Sequence, residues 1–320
     1  MGYNRRIKIR REVQCLMDAL IQSLVQANFA PERIVPQASM AQYTTLRIGG
    51  PAEVMVNIHS ADEIAVALRA AKQADAPVTI IGNGSNLLVR DGGIRGLVLR
   101  ISGGLNAIRR EGDCLLVQAG ASLAAVAAFA RDEGLSGMAE LGGIPGTVGG
   151  GVLMNAGAYG AELAQLVTQA EGVSLSDGRR VIYPADRLDF AYRHSALMDA
   201  GVVITQATLA LTPGDPEAIR ARMEECAKAR REKQPLTLPS AGSTFKRPEG
   251  HFAAKLIDDC GLRGLTVGGA QVSEKHAGFI VNIGGATARD MLELMRQVEQ
   301  RVFEQTGVQL EPEVRILGED

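Results

Sequence analysis

Apolar positions at a helical interval open the chain. Val13, Leu16, Leu20 and Leu24 share one face, with Gln14, Asp18 and Gln22 between them, which predicts an amphipathic helix docked on a core or on an anionic membrane surface. The period then shortens. Ala52–Ile58 alternates as a strand, and Ser60-Ala61-Asp62-Glu63 reads as a capping box ahead of a helix carrying Ile64, Leu68 and Ala71. Pro77 closes that region, and Val78–Ile81, Leu97–Ile101 and Leu115–Gln118 read as strands. Ser122 caps a helix running to Arg131 and stopping at Gly134. Val167–Ser174 and Arg179–Tyr183 flank Ser176-Asp177-Gly178, a hairpin signal, and Val202–Leu211 is a further strand.

The strongest punctuation is Pro213-Gly214-Asp215-Pro216, which sets a domain boundary. Beyond it lie a charged helix (Glu217–Lys233), a Pro- and Gly-rich loop (Pro235–Gly250), and a helix near Ala253–Cys260. Gly278–Ile283 reads as a strand, Thr287-x-x-Asp290 caps a helix to about Gln305, and Val314–Leu317 is a last strand. This mixture is α+β rather than a regular βαβ alternation.

Composition narrows the classes. With 320 residues, 46% apolar, the chain can bury a sizeable core and is long enough for two domains. Thirty-four basic residues against 36 acidic ones give a net charge of −2, which argues against a nucleic-acid partner. Cys15, Cys114, Cys226 and Cys260 lie far apart with no CxxC pair, so free thiols are expected rather than disulfides or zinc. The four histidines (His59, His194, His251, His276) show no metal-binding grouping. Arg5, Arg6, Lys8, Arg10 and Arg11 mimic the start of a signal peptide, but no continuous apolar stretch follows. Leu141–Ala161 is uncharged over 21 residues, yet eight are Gly and one is Pro, a poor composition for a spanning helix. We therefore expect a soluble, cytoplasmic protein with no membrane partner.

Two glycine segments carry the candidate chemistry. Gly82-Asn83-Gly84-Ser85-Asn86-Leu87 follows a strand directly, and its glycines allow backbone N–H groups to converge on phosphate oxygens. It lacks the third glycine and the acidic residue of the Rossmann fingerprint, and no Gly-Lys pair exists for a P-loop. A plain tight turn is the competing reading. Gly142-Gly143-Ile144-Pro145-Gly146-Thr147-Val148-Gly149-Gly150-Gly151, followed by Asn155-Ala156-Gly157, reads as an irregular path that lets backbone approach a flat or phosphorylated ligand. Its competing reading is a crossover between strands. Two uncharged glycine loops fit one extended dinucleotide better than two unrelated turns.

With Thr44-Thr45-Leu46-Arg47-Ile48-Gly49-Gly50 ahead of them, these segments resemble those of the UDP-N-acetylenolpyruvoylglucosamine reductases. The resemblance runs from about Val35 to the end. It includes Tyr192-Arg193-x-Ser195, Ala241-Gly242-Ser243-x-Phe245-Lys246 and Leu310-Glu311-Pro312-Glu313-Val314-Arg315, in the family's order. It implies a two-lobed FAD-binding domain of the vanillyl-alcohol-oxidase (PCMH) type and a C-terminal α/β substrate-binding domain. The expected layout is an N-terminal helix in 1–34, the FAD domain in 35–212 with lobes 35–105 and 106–212, and the substrate domain in 213–320. No long insertion follows Tyr183, which matches the shorter, type II form.

The resemblance also implies site residues. Arg47, Gly82, Asn83, Gly84, Ser85, Asn86 and Leu87, with Gly143, Ile144, Pro145, Gly146, Thr147, Gly149, Gly150, Asn155 and Gly157, would hold FAD. No histidine lies between His59 and His194, which favours noncovalent FAD, with NADPH as hydride donor. Arg193, Ser243 and Glu313 match the family's catalytic residues, and Tyr192, Lys246 and Arg315 would contact a nucleotide-sugar substrate. The implied chemistry, hydride addition to an enolpyruvyl ether, builds an enolate that needs a clamp on its carboxylate and a proton donor opposite. Arg193 suits the bidentate clamp, Ser243 the proton donor with Lys246 supporting its alkoxide, and Glu313 a hydrogen-bond donor if an apolar setting keeps it protonated. Arg247 stands where some members carry Asn. The expected protein is a monomeric reductase of peptidoglycan-precursor synthesis. The alternatives are an FAD-linked oxidase of the same fold acting on a hydroxy acid or sugar, and a nucleotide-holding module without turnover.

Overall fold

The computed structural model describes residues 16–320; the basic stretch 5–11, Val13 and Cys15 lie outside the described residues. The chain packs as two compact units that interleave in sequence. The first takes up residues to Ala38, then Ala52–Gly82 and Arg95–Met223; the second takes Ser39–Pro51, Asn83–Ile94 and Glu224–Asp320.

The first unit opens on helix α1, described over 16–26. Leu20 and Leu24 are buried in the core as their spacing predicts, but Leu16 is 52% exposed and Met17 takes its place on the buried face. A four-stranded sheet follows in the order Ile34–Ser39, Pro51–Asn57, Ile94–Arg100, Val78–Ile81, with the last two parallel. Helix α2, Ala61–Gln73, crosses over between Pro51–Asn57 and Val78–Ile81 and buries Ile64, Ala67, Ala70 and Ala71. Ser60 caps it by accepting from the Glu63 amide at 3.3 Å. The expected reciprocal bond is replaced: the Glu63 carboxylate accepts from the His59 amide (2.7 Å) and from Arg33 (2.9 Å). The Arg33 guanidinium is the stronger attraction for a carboxylate at a helix start.

The second sheet of this unit is five-stranded and antiparallel, ordered Arg180–Pro184, Val167–Ser174, Val202–Ala210, Cys114–Gln118, Ile108–Glu111. Gly178, at φ 73°, makes the turn of the Val167–Pro184 hairpin. Helix α3, Leu123–Asp132, is capped by Ser122 and ends at the left-handed Gly134. Helix α4, Val148–Leu153, falls inside the glycine segment that the sequence suggested to be irregular. The Thr147 side chain caps it, and that cap overcomes the poor helix propensity of three successive glycines. One aliphatic core, including Leu97, Leu99, Leu115, Val117, Val126 and Leu209, serves the whole unit.

The second unit holds the end of helix α5, Pro216–Lys233, then α6, Ala253–Asp259, and α7, Ala288–Thr306. The capping box of α7 is complete: Thr287 Oγ1 accepts from the Asp290 amide, and Asp290 accepts from the Thr287 amide. Asp91 adds a second cap through the amides of Ala288 (2.8 Å) and Arg289 (3.0 Å). Met291, Leu294, Met295, Val298 and Val302 are buried, each burial contributing roughly 1.5–3 kcal/mol. They pack with Leu46, Leu88, Phe245 and Ile257. A three-stranded antiparallel sheet (Thr266–Val267, Ala270–Val272, Ile280–Asn282) and a parallel pair, Leu87–Val89 with Arg315–Leu317, complete the unit.

Candidate active site

In the first unit the two glycine segments meet at one point. A Cβ on Gly82 would lie 2.6 Å from Thr147 Oγ1, so position 82 admits no side chain while Thr147 caps α4. That cap is a bond from the Gly150 amide to Thr147 Oγ1 at 3.3 Å. The segment is tied down by amide-to-carbonyl bonds from Leu123 to Gly146, from Val148 to Ala121 and from Gly149 to Ala119, all 2.8–3.0 Å. Gly143 ends a short 3₁₀ turn, Ile144 packs against the core, Pro145 is exposed, and Gly157 pairs with Glu162.

Tyr192 and Arg193 form the tip of a tight turn in the same unit. Ala191 and His194 exchange both backbone hydrogen bonds, at 3.2 and 3.1 Å. Arg193 is left-handed at φ 54°, and its guanidinium lies 5.0 Å from the centre of the Tyr192 ring. Beneath this turn, Asn155 (φ 43°) is buried with its side chain committed within the protein: Nδ2 donates to the Ala191 carbonyl at 3.1 Å and Oδ1 accepts from the Ala164 amide at 2.9 Å. Ser195 Oγ donates to the Leu153 carbonyl at 2.8 Å.

The second unit assembles the remaining groups. The Ser243–Lys246 stretch runs antiparallel to Glu311–Glu313: the Glu313 amide donates to the Thr244 carbonyl and the Lys246 amide to the Glu311 carbonyl, each at 2.8 Å. Thr244 is buried and accepts from the Ile280 amide through Oγ1 at 3.0 Å, which leaves the neighbouring Ser243 exposed. Asn86 joins the same cluster, its Nδ2 donating to the Glu313 carbonyl at 3.1 Å and its carbonyl accepting from the Arg315 amide at 3.0 Å. Leu87 starts the strand that pairs with Arg315. The Lys246 ammonium pairs with Glu311 at 3.2 Å. Arg47, exposed and left-handed at φ 55°, and Arg315 project from the same unit, and the Arg247 guanidinium stacks on Phe252 at 3.8 Å.

Sequence reasoning gave no role to Thr45, whose hydroxyl donates to the Ser240 carbonyl at 2.6 Å, or to Ser195. Both stand inside segments that resemble the family's, but their partners are remote in sequence and carry no signal of their own.

The residues present suit an extended anionic cofactor. Among the described residues, the amides of Gly82, Asn83, Gly84, Ser85 and Asn86 donate no hydrogen bond to another backbone group. Gly84 is left-handed, its carbonyl accepts from the Thr45 amide at 3.2 Å, and a Cβ there would run into the Tyr43 carbonyl. The result is a run of uncommitted donors on backbone that no side chain crowds, the donor chemistry a diphosphate requires. Among the described residues no helix is long and apolar enough to cross a membrane.

Comparison with known proteins fixes first the class. Residues 52–182 match the family described as FAD binding domain, so the chain is an FAD-dependent oxidoreductase with a PCMH-type domain. Residues 234–317 match the C-terminal domain of UDP-N-acetylenolpyruvoylglucosamine reductase. The chain is 47% identical over 299 residues to the UDP-N-acetylenolpyruvoylglucosamine reductase of Pediococcus pentosaceus, covering 93% of this chain and 99% of that one. It is 49% identical over 292 residues to that of Agathobacter rectalis, covering 88% and 92%. Among solved structures, the UDP-N-acetylenolpyruvylglucosamine reductase from Thermus caldophilus superposes with a TM-score of 0.76 at 38% identity, covering 88% of this chain and 97% of that one. The chain belongs to the UDP-N-acetylenolpyruvoylglucosamine reductase family.

Proposed function

We propose that the protein reduces UDP-N-acetylglucosamine enolpyruvate to UDP-N-acetylmuramate at the expense of NADPH, in peptidoglycan-precursor synthesis. Noncovalently bound FAD would supply the hydride relay between NADPH and the enolpyruvyl double bond. The amides of 82–86 would donate to its phosphates, and the 143–150 segment and Arg47 would contribute further contacts to the cofactor. Arg193 clamps the substrate carboxylate through its planar fork and holds the charge that develops there. Glu313 stabilises the enolate, and Ser243 delivers its hydroxyl proton to the carbon next to the carboxylate. Each such stabiliser contributes about 3–4 kcal/mol to the transition state. Tyr192, Lys246 and Arg315 contact the nucleotide-sugar, and the protein acts as a monomer.

Two finer assignments accompany this reading. Residues 35–212 serve the cofactor and 213–320 the substrate. The absence of a long insertion after Tyr183 supports the type II form.

The observation that carries the proposal is the pairing of 243–246 with 311–313, which sets an exposed serine hydroxyl on the segment neighbouring a glutamate, a glutamate whose carbonyl accepts from Asn86 of the first glycine loop. The test is NADPH consumption by the purified flavoprotein with and without the enolpyruvyl nucleotide. We expect oxidation to require the nucleotide and to yield a product heavier by two hydrogens. Nucleotide-independent consumption with no reduced sugar nucleotide would overturn the proposal.

A further inference from the structure

The Tyr192-Arg193 turn is an improbable place for a catalytic side chain. It is half-exposed, and Arg193 sits at φ 54°, a conformation that costs a non-glycine residue of order 1–3 kcal/mol. Such a conformation persists only where the surroundings impose it. Besides the backbone bonds of the turn itself, two buried side chains tie its flanks to the rest of the unit. Asn155 is 1% exposed and bridges the turn to the segment after α4: Nδ2 holds the Ala191 carbonyl, one residue before the Tyr192-Arg193 tip, while Oδ1 holds the Ala164 amide. Ser195, 0% exposed, holds the other side of the turn through the Leu153 carbonyl, the last residue of α4. The turn is therefore bolted at both ends to the helix that Thr147 caps and to its continuation.

From this geometry, and resting on the catalytic role proposed above for Arg193, we infer that Asn155 is a positioning residue: its carboxamide, with the Ser195 hydroxyl, fixes the Ala191–His194 turn and so aims the guanidinium at the substrate carboxylate. An amide suits the task because one planar group offers a donor to Ala191 and an acceptor to Ala164 at once, which neither Asp nor Leu reproduces. Its own left-handed backbone, φ 43°, is one that Asn tolerates better than most residues. On this inference the side chain works on the protein and does not contact the flavin.

The test is a double-mutant cycle on the holoenzyme. Parent, Asn155→Ala, Arg193→Ala and the double variant are loaded with FAD and reduced by NADPH without oxygen. Two quantities are then read: the rate of reoxidation by the enolpyruvyl nucleotide, and the dissociation constant of that nucleotide for the oxidised protein by calorimetry. A misplacement of about 1 Å costs on the order of 100-fold in rate, so Asn155→Ala should slow reoxidation by about that factor. In the Arg193→Ala background the same substitution should change the rate by no more than about 2-fold, because residues acting as one unit are non-additive. Calorimetry should show the same coupling. If Asn155→Ala does not fold, Ser195→Ala is read in the same cycle, with the same loss of effect in the Arg193→Ala background expected. Additive effects of the two substitutions, or reoxidation of Asn155→Ala at the parental rate, would overturn the inference. A parent that NADPH does not reduce would defeat the proposed function, and this inference with it; a competent parent with an additive cycle defeats the inference alone.

Discussion

The amide of Glu313 donates to the carbonyl of Thr244 at 2.8 Å, and through that bond Ser243 and Glu313 become neighbours although distant segments supply them. Thr244 is buried and its hydroxyl accepts from the Ile280 amide, while Ser243 beside it is exposed. In the function proposed above, the substrate enolate is the acceptor of the Ser243 proton.

Ser243→Ala should therefore separate the two halves of the reaction. The flavin should still bleach with NADPH, while turnover of the enolpyruvyl nucleotide falls by about 10²–10³-fold. Stopped-flow absorbance of each half-reaction checks this; equal losses in both would assign Ser243 to folding or cofactor binding instead.

Arg193→Lys keeps the charge but loses the fork. A point charge on a flexible stem cannot reproduce a bidentate clamp, so kcat should fall by about 10²-fold. Steady-state kinetics with the nucleotide varied is the measurement, and a parental kcat would show that charge alone suffices at this position.

Gly84 and Gly112 share a left-handed backbone, at φ 62° and 63°, but only Gly84 has a neighbouring carbonyl where a Cβ would go. Gly112→Ala should cost about 1 kcal/mol, the conformational penalty alone. Gly84→Ala adds a steric clash with the Tyr43 carbonyl and should cost about 2 kcal/mol or more, with loss of bound FAD. Urea denaturation and the flavin-to-protein absorbance ratio decide between these outcomes.

Much of this protein was readable in its sequence, for identifiable reasons. Local signals were faithful: Ser122 and Thr287 cap the helices they precede, Gly178 turns its hairpin, and Val167–Ser174 has the bounds its pattern predicts. The motifs that resemble the reductase family led to the correct family and cofactor class. What stayed hidden is non-local. Residues 39–51 and 83–94 fold with the C-terminal third because Leu87–Val89 pairs with Arg315–Leu317, and no periodicity announces a partner that far along the chain. The one-sided cap at Ser60 has the same origin, since Arg33 competes for Glu63 from another element. Leu16 shows the limit of spacing arguments: two templates, 16-20-24 and 17-20-24, fit one helix, and only the core chooses between them.

A pH effect on stability follows from His276. Burial pushes its imidazole below the ordinary value, and the Arg263 charge acts in the same direction; a backbone hydrogen bond of its own opposes them. Nδ1 accepts from the Gly278 amide at 3.2 Å, which requires that nitrogen to be unprotonated. The folded value thus lies below the unfolded one of about 6.5. Above about pH 6.5 this contribution to stability is fully present, and as pH falls toward the folded value the unfolded state gains the proton first and stability declines. Urea midpoints measured between about pH 7.5 and 5.5 should fall less steeply for His276→Asn than for the parent. Identical slopes would remove His276 from the account.

The central claim is that reduced flavin in this protein is emptied by an enolpyruvyl nucleotide. The direct measurement is the absorbance of the NADPH-reduced holoenzyme, held without oxygen, as UDP-N-acetylglucosamine enolpyruvate is added. The account predicts that the oxidised flavin spectrum returns in proportion to nucleotide added, with one UDP-N-acetylmuramate formed per flavin reoxidised. A spectrum that stays bleached with the nucleotide and recovers only when air is admitted would contradict it and point to an oxidase.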